Sequence, residues 1–301
     1  MERTVIVGLD GSSESLAAAD WAAREALRRG VPLRLVQVRE TDSHPLLLSN
    51  VDPEARKRWE EQPGRVTAEL AGRHPTLEIG TERLDGRPAD VLRKAADGAE
   101  LLVLGSKGRG ALAGFLVGSV ALSAAAHVTC PVVLVRAGTT EEAAHRDEPE
   151  VLTAGGEAPY RDVVLGVDLS KPCDGLLDFA FAAAARRGAP LRVVHGWNLP
   201  AAYGVNPAGF GPGLLDGLAE EKLQALTDAL RPWRGKYPDV EVRTQAVVGR
   251  IAQQLLEAAE DASLVVVGRR DRRSPLGFHI GPVAHAVMHH ATVPVAVVPH
   301  E

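Results

Sequence analysis

The chain has 301 residues, 45% of them hydrophobic and 24% charged, with a formal net charge of −5. That length holds two ordinary domains, each with its own core. The mild acidity argues against nucleic acid or an anionic membrane as partner, since both select clustered cations.

In chain order, short β-rich runs alternate with helical patterns. Met1 to Val7 enters the first strand with no leader-type segment ahead of it, and no apolar run approaches the roughly 18–20 residues that span a bilayer. Cys130 and Cys173 make neither a disulfide framework nor a metal spacing, so a reducing, cytoplasmic setting is expected. Strands are predicted near 4–9, 32–38, 77–83, 101–105 and 132–136, and helices over Ser13 to Arg29, around Ala55 to Gly72, over Pro88 to Asp97 and over Ser119 to His127. Ser12 and Ser13 are available caps, and Leu16, Ala19, Ala23 and Ala26 recur at helical spacing. Pro88 sits in a first turn, where a helix tolerates it. The strands are nearly continuous Val, Leu and Ile, the pattern of parallel strands covered on both faces.

The plan then returns, with strands near 162–167, 191–196, 240–246, 264–268 and 295–298. Val5-Ile6-Val7-Gly8-Leu9-Asp10 matches Val163-Val164-Leu165-Gly166-Val167-Asp168, and Arg28-Arg29-Gly30 matches Arg186-Arg187-Gly188, both at an offset of 158. Gly86-Arg87 matches Gly249-Arg250, Gly105 matches Gly268 and Gly118 matches Gly281, at an offset of 163. The chain is therefore a tandem duplication, with domains over 1–138 and 160–301 and a solvated linker over 139–159. Trp21 and Phe179 occupy matching helix positions and are expected in the core. Thr41 to Pro63 and Asn198 to Asp216 read as irregular, lid-type stretches.

Gly105-Ser106-Lys107-Gly108 opens a loop at the end of the fourth strand, and after nine intervening residues Gly118-Ser119 opens the next helix. Glycines let a ligand approach the backbone, and a helix start offers unpaired N–H groups at the positive end of its dipole. In an open doubly wound sheet this loop and Gly8-Leu9-Asp10 meet at the edge where the winding reverses, if strands one and four are neighbours. A carboxylate facing a phosphate cradle suits a nucleotide. Lys107 and Arg109 read equally well as phosphate ligands or solvated charges. No Walker A loop is present, and a dinucleotide fingerprint would follow strand one instead. His279-Ile280-Gly281-Pro282 lacks the final histidine of the synthetase motif to which it is similar. His285 and His289 have i, i+4 spacing without a third ligand and read as packing or surface residues.

These residues resemble the universal stress protein family in its tandem form. The likeness rests on Gly8-Leu9-Asp10-Gly11-Ser12, Val36-Gln37-Val38, Gly86-Arg87-Pro88 and the Gly105–Ser119 pattern followed by Cys130-Pro131-Val132-Val133-Leu134-Val135. The resemblance implies two α/β domains of the adenine-nucleotide alpha-hydrolase type, each a doubly wound parallel five-stranded sheet ordered 3-2-1-4-5. It implies ATP, with or without Mg²⁺, held by Asp10, Val38, Leu104, Gly105, Gly108, Gly118, Ser119 and Val120. It also implies antiparallel pairing of Val132–Val135 with Val295–Val298 in an internal pseudo-dimer, and self-association of whole chains as a homodimer.

The second half departs from the motif, with Asp271 and Pro282 at the second glycine and the serine. Pro282 has neither N–H nor hydroxyl. Losing two charge-assisted hydrogen bonds of about 1.5–3 kcal/mol each would weaken binding by roughly two to four orders of magnitude. Arg269, Arg270, Arg272 and Arg273 read as solvated loop cations, with anion capture by their side chains as the alternative. The expectation is an ATP-binding stress-response regulator whose first half binds nucleotide and whose second half binds it weakly or not at all, with protein partners not named by the sequence. The alternatives are a slow ATP hydrolase or adenylate-using enzyme, and an interaction module that has lost nucleotide binding in its second half. No catalytic triad or metal set is legible.

Overall fold

A computed structural model describes residues 3–40, 53–107, 117–145, 159–170, 173–198, 214–270 and 280–300. The chain divides into two compact units, Met1–Glu141 and Glu142–Glu301. The first contains β1 (Val5–Leu9), α1 (Ser13–Arg29), β2 (Leu33–Arg39), α2 (Pro53–Arg73), β3 (Ile79–Asp85), α3 (Pro88–Ala95), β4 (Leu101–Gly105), α4 (Ser119–His127) and β5 (Val132–Val135). Its strands pair in parallel in the order β3-β2-β1-β4-β5. The second contains β6 (Asp162–Val167), α5 (Asp174–Arg187), β7 (Leu191–Trp197), α6 (Leu214–Lys236), β8 (Val242–Val248), α7 (Ile251–Ala259), β9 (Ala262–Arg270), α8 (Pro282–His290) and β10 (Val295–His300). These pair in parallel in the order β8-β7-β6-β9-β10. The 3-2-1-4-5 order is therefore present in each half.

β1, β4 and β5 bury nearly every residue, whereas β3 and β8 carry half-buried and exposed positions, with Val247 the one buried residue of β8. The repeated Arg-Arg-Gly closes the first helix of each half. Gly30 and Gly188 take the left-handed conformation, at φ 65° and 57°, and their N–H groups cap carbonyls of the last turn.

Phe179 departs from expectation. Trp21 is buried, but Phe179 is only half-buried, because α5 turns Leu176, Leu177, Ala180, Phe181 and Ala184 inward and Phe179 lies off that stripe. Phe181 takes the core position, with its ring 5.8 Å from Tyr237 and 6.4 Å from Trp233.

The stretch Thr41 to Pro63 is not irregular throughout, since α2 begins at Pro53 and carries Pro63 in its interior. A proline there leaves the carbonyl four residues earlier without its helical donor. That carbonyl belongs to Trp59, and the buried Gln37 side chain on β2 donates to it at 2.8 Å. The polar residue inside Val36-Gln37-Val38 thus repairs the helix above it. Similarly, α6 starts at Leu214, and the rest of the second lid-type stretch beyond Asn198 lies outside the described residues.

Both described ends of the linker are tied down rather than merely solvated. Glu141 lies 3.6 Å from Arg28. Glu142–Ala144 form one 3₁₀ turn, His145 bridges Tyr160 in antiparallel fashion, and Arg161 donates to the His145 carbonyl at 2.7 Å. Among the described residues no helix is long and apolar enough to cross a membrane.

Replacing Gln37 with Met should destabilise the first unit by about 1–3 kcal/mol, the cost of an orphaned buried polar group. Pro63→Ala restores the missing N–H and should recover most of that loss. A double-mutant cycle in urea measures the coupling.

Candidate functional site

β1 pairs with β2 as far as Leu9↔Gln37 but with β4 only from Val5↔Leu101 to Val7↔Val103. The ladder with β4 ends there, which leaves Asp10 and Gly105–Ser106 beyond the last paired residues, at the edge where the winding reverses and such sheets form their crevice. On the Asp10 side, Ser12 caps α1. Its Oγ accepts the Ser15 N–H at 3.1 Å and donates to Asp10 Oδ1 at 2.6 Å, while the Ser12 N–H donates to the same oxygen at 2.9 Å. Asp10 therefore does not cap the helix itself; it aims the serine that does.

The other side is built around Gly105. A Cβ there would sit 2.8 Å from Glu14 Cβ and 2.9 Å from the Ser15 nitrogen. The glycine lets the first turn of α1 rest on β4, a packing reason additional to the ligand-access reason read from the sequence. The Ser106 N–H donates to the Val135 carbonyl at 2.7 Å, and the Ser106 carbonyl accepts the Gly118 N–H at 2.8 Å. Ser106 thereby pins the start of α4 to the end of β4. Gly118 is the N-cap of α4, and no side chain caps that helix. Ser119 is exposed and Val120 half-buried, so their N–H groups stand uncapped at the crevice.

Of the remaining site residues predicted from sequence, Val38 and Lys107 are half-buried at the ends of β2 and β4. Gly8 and Leu104 lie beneath the crevice: a Cβ on Gly8 would come within 2.7 Å of the Leu104 side chain, and both residues are buried. Gly108 and Arg109 lie outside the described residues. Gly118 gives its N–H to Ser106, which leaves Ser119 and Val120 as donors. Sequence reasoning passed over Ser106, whose burial and pinning role depend on contacts with β5 and α4.

In the second half β6 pairs with β9 one step further, to Gly166↔Val267. The crevice above it is a cavity of about 660 Å³. Asp168 Oδ1 accepts the Ser170 N–H at 3.0 Å, and Oδ2 pairs with Arg270 at 2.6 Å. Burial opposes ionisation of Asp168, but the Ser170 hydrogen bonds and the Arg270 guanidinium outweigh it and hold the carboxyl below the usual carboxylate range. Arg269 and Arg270 are not loop cations: both end β9, and Arg269 is buried. Asp271, Arg272 and Arg273 lie outside the described residues. Pro282 opens α8, so the amide that would match Ser119 is absent. Burial, with help from Asp174 and Asp168, pushes the Cys173 thiol up to about 11, so it is inert at neutral pH. The His285 and His289 rings lie 4.3 Å apart. Among the described residues no group of three or more His, Cys, Asp or Glu is placed to hold a metal ion.

The profile of the universal stress protein family matches residues 1–136 and again 159–299. The chain belongs to the universal stress protein family. A universal stress protein of Mycobacterium tuberculosis (strain ATCC 25618 / H37Rv) is 34% identical over 304 residues, spanning 97% of this chain and 96% of its own length. One from Mycolicibacterium smegmatis is 33% identical over 308 residues, spanning 99% and 97%. The crystal structure of a universal stress protein from Archaeoglobus fulgidus DSM 4304 covers 99% of this chain and 98% of its own at a TM-score of 0.66 and 17% identity, a likeness of fold. This universal stress protein is thus a tandem of two family domains with unequal crevices.

The two helix starts at the first crevice should respond differently to the same substitution. Ser12→Ala removes a cap and should lower stability by about 0.5–2 kcal/mol, whereas Ser119→Ala should stay within about 0.5 kcal/mol. Gly105→Ala drives a methyl into the backbone of α1 and should cost about 1–3 kcal/mol. Urea unfolding with an unchanged m value checks all three.

Proposed function

We propose that the protein is an ATP-binding stress-response regulator that takes one nucleotide per chain, in the crevice of the first half. The observation carrying this reading is the contrast between two neighbouring helix starts: α1 is closed by Ser12 under the control of Asp10, while α4 has no side-chain cap and presents Ser119 and Val120. Uncapped first-turn amides at the positive end of a helix favour phosphate oxygens. In this reading the Ser119 hydroxyl and the Ser119 and Val120 amides hold the phosphates, and Lys107 adds charge. Asp10 faces the sugar or a magnesium ion, and the backbone at Val38 meets the base.

Asp10 already accepts two hydrogen bonds from Ser12, a role in positioning rather than proton transfer. A regulator that holds its nucleotide and presents a ligand-dependent surface to partners agrees with that arrangement better than a hydrolase does. Cys130 and Cys173, buried and outside any disulfide, suit a reducing, cytoplasmic setting.

Calorimetric titration of the full chain with Mg·ATP should give a stoichiometry near one. Ser119→Ala should weaken binding by about 10-fold or more, the value of a charge-assisted hydrogen bond, with stability unchanged. A stoichiometry near two, or full affinity in Ser119→Ala, overturns the site. Multiple turnovers per minute of ADP release, abolished by Asp10→Asn, would replace the regulator with an enzyme.

A further inference from the structure

β8 is an outer strand, and among the described residues no strand pairs with its free side. Three contacts fix how its main chain is turned. The Glu241 carbonyl accepts the Leu191 N–H at 2.8 Å and the Gly249 N–H donates to the Trp197 carbonyl at 3.0 Å, so the odd-numbered residues face β7. The Val242 carbonyl faces away, where the Arg234 side chain on α6 reaches it at 3.3 Å. Val242, Thr244, Ala246 and Val248 therefore turn their N–H and C=O groups to the free edge. Val248 is also the most exposed large apolar side chain among the described residues, at 47%.

An edge of this kind pairs with another strand unless charge, proline or a bulge protects it. The duplication supplies the comparison. β3 is the matching strand of the first half, and at the offset of 163 it carries Glu82, Arg83 and Asp85 where β8 carries Gln245, Ala246 and Val248. Two copies of β3 running antiparallel about Glu82 would set that carboxylate directly against itself, a repulsive pair. The same arrangement of β8 centres on Gln245, whose amide both donates and accepts. Val248 then faces Val242 of the second copy, Arg243 faces Val247 and Thr244 faces Ala246, and no like charges meet. The one charge that β8 gains, Arg243 in place of Gly80, is already held by Glu241 at 2.8 Å and Asp162 at 3.3 Å. Since the even-numbered residues point outward, Val242 with Val248 and Thr244 with Ala246 become the hydrogen-bonded pairs, and every outward N–H meets a carbonyl. The Val242 carbonyl keeps a second lone pair beside the one that Arg234 uses.

We propose that β8 is a homodimer interface, in which two whole chains join edge to edge through antiparallel β8 strands about a two-fold axis at Gln245. The occupant is a second copy because the strand is its own complement, and an isologous contact of this kind closes at two. The interface depends on the edge alone and stands independently of nucleotide binding in the first half.

Sedimentation of the full chain from roughly 5 to 500 µM should show a reversible monomer–dimer equilibrium with a dissociation constant of about 10–100 µM, since a single strand pairing lies at the small end of specific interfaces. Gln245→Glu and Val248→Asp, which install the residues of β3, should each weaken the dimer about 3-fold or more, with the far-UV spectrum of the monomer unchanged. Oxidised glutathione should convert the Gln245→Cys variant into a covalent dimer, because facing residues of a non-hydrogen-bonded pair lie about 4.5 Å apart at Cα, within disulfide reach. Glu241→Cys, exposed on the same face of the strand but about 27 Å from its own copy in this register, should stay uncrosslinked. Cys130 and Cys173 are buried and take no part. A chain that remains monomeric across that range, a dimer indifferent to both Gln245→Glu and Val248→Asp, or equal cross-linking of the two cysteine variants overturns the proposal.

Discussion

Parallel pairing of the first strand of each half with its fourth is the constraint from which the rest follows. Crossovers in such a sheet keep one hand, so the chain must wind in opposite directions on either side of that pair. The connections leaving the two strands diverge, and a slot opens at their carboxyl ends. In the first half the helix after β1 settles directly on the last residue of β4, a contact that only glycine permits at position 105. Closing one wall in this way brings Asp10, Ser12 and the start of α4 to one edge.

Two helices begin at that edge with opposite provisions for their amides. The start of α1 is satisfied internally, through a relay from Asp10 to Ser12 to Ser15. The start of α4 is held in place by Ser106 through the backbone alone and is left open. One helix start is thus closed by a side chain and the other is not. The second half keeps the scaffold but changes the slot. Pro282 lacks the amide that Ser119 has, and His300 takes the place over Gly268 that the backbone of α1 takes over Gly105. Duplication permits such divergence, because each half builds its own core and its own crevice.

Much of the local structure is legible in the sequence because its causes are local. Ser13 to Arg29 and Ser119 to His127 are helices with the bounds read from capping residues and periodicity. The Val/Leu/Ile runs are parallel strands, displaced by a residue or two at their ends. The harder residues are those whose neighbours come from elsewhere in the chain. Gln37 reads as a polar interruption of a strand until Pro63, on another element, leaves a carbonyl that needs it. Phe179 and Trp21 match in the alignment yet differ in burial, because the inward stripe of α5 passes through Phe181 instead. Arg269 and Arg270 look like loop charges because β9 runs three residues past Val267, its last apolar side chain.

By itself the sequence determined the duplication, the alternation of strand and helix, the helix caps and the loss of an N–H and a hydroxyl at Pro282. Those properties depend on residue type and short spacing, which a linear chain displays in full. Tertiary structure alone decided that Gly105 makes room for the first turn of α1. It also decided that Gly118 spends its amide on Ser106, and that the degenerate half retains a cavity. Each is a through-space contact between segments far apart in the chain, set by the twist and register of the sheet, and no local pattern encodes it.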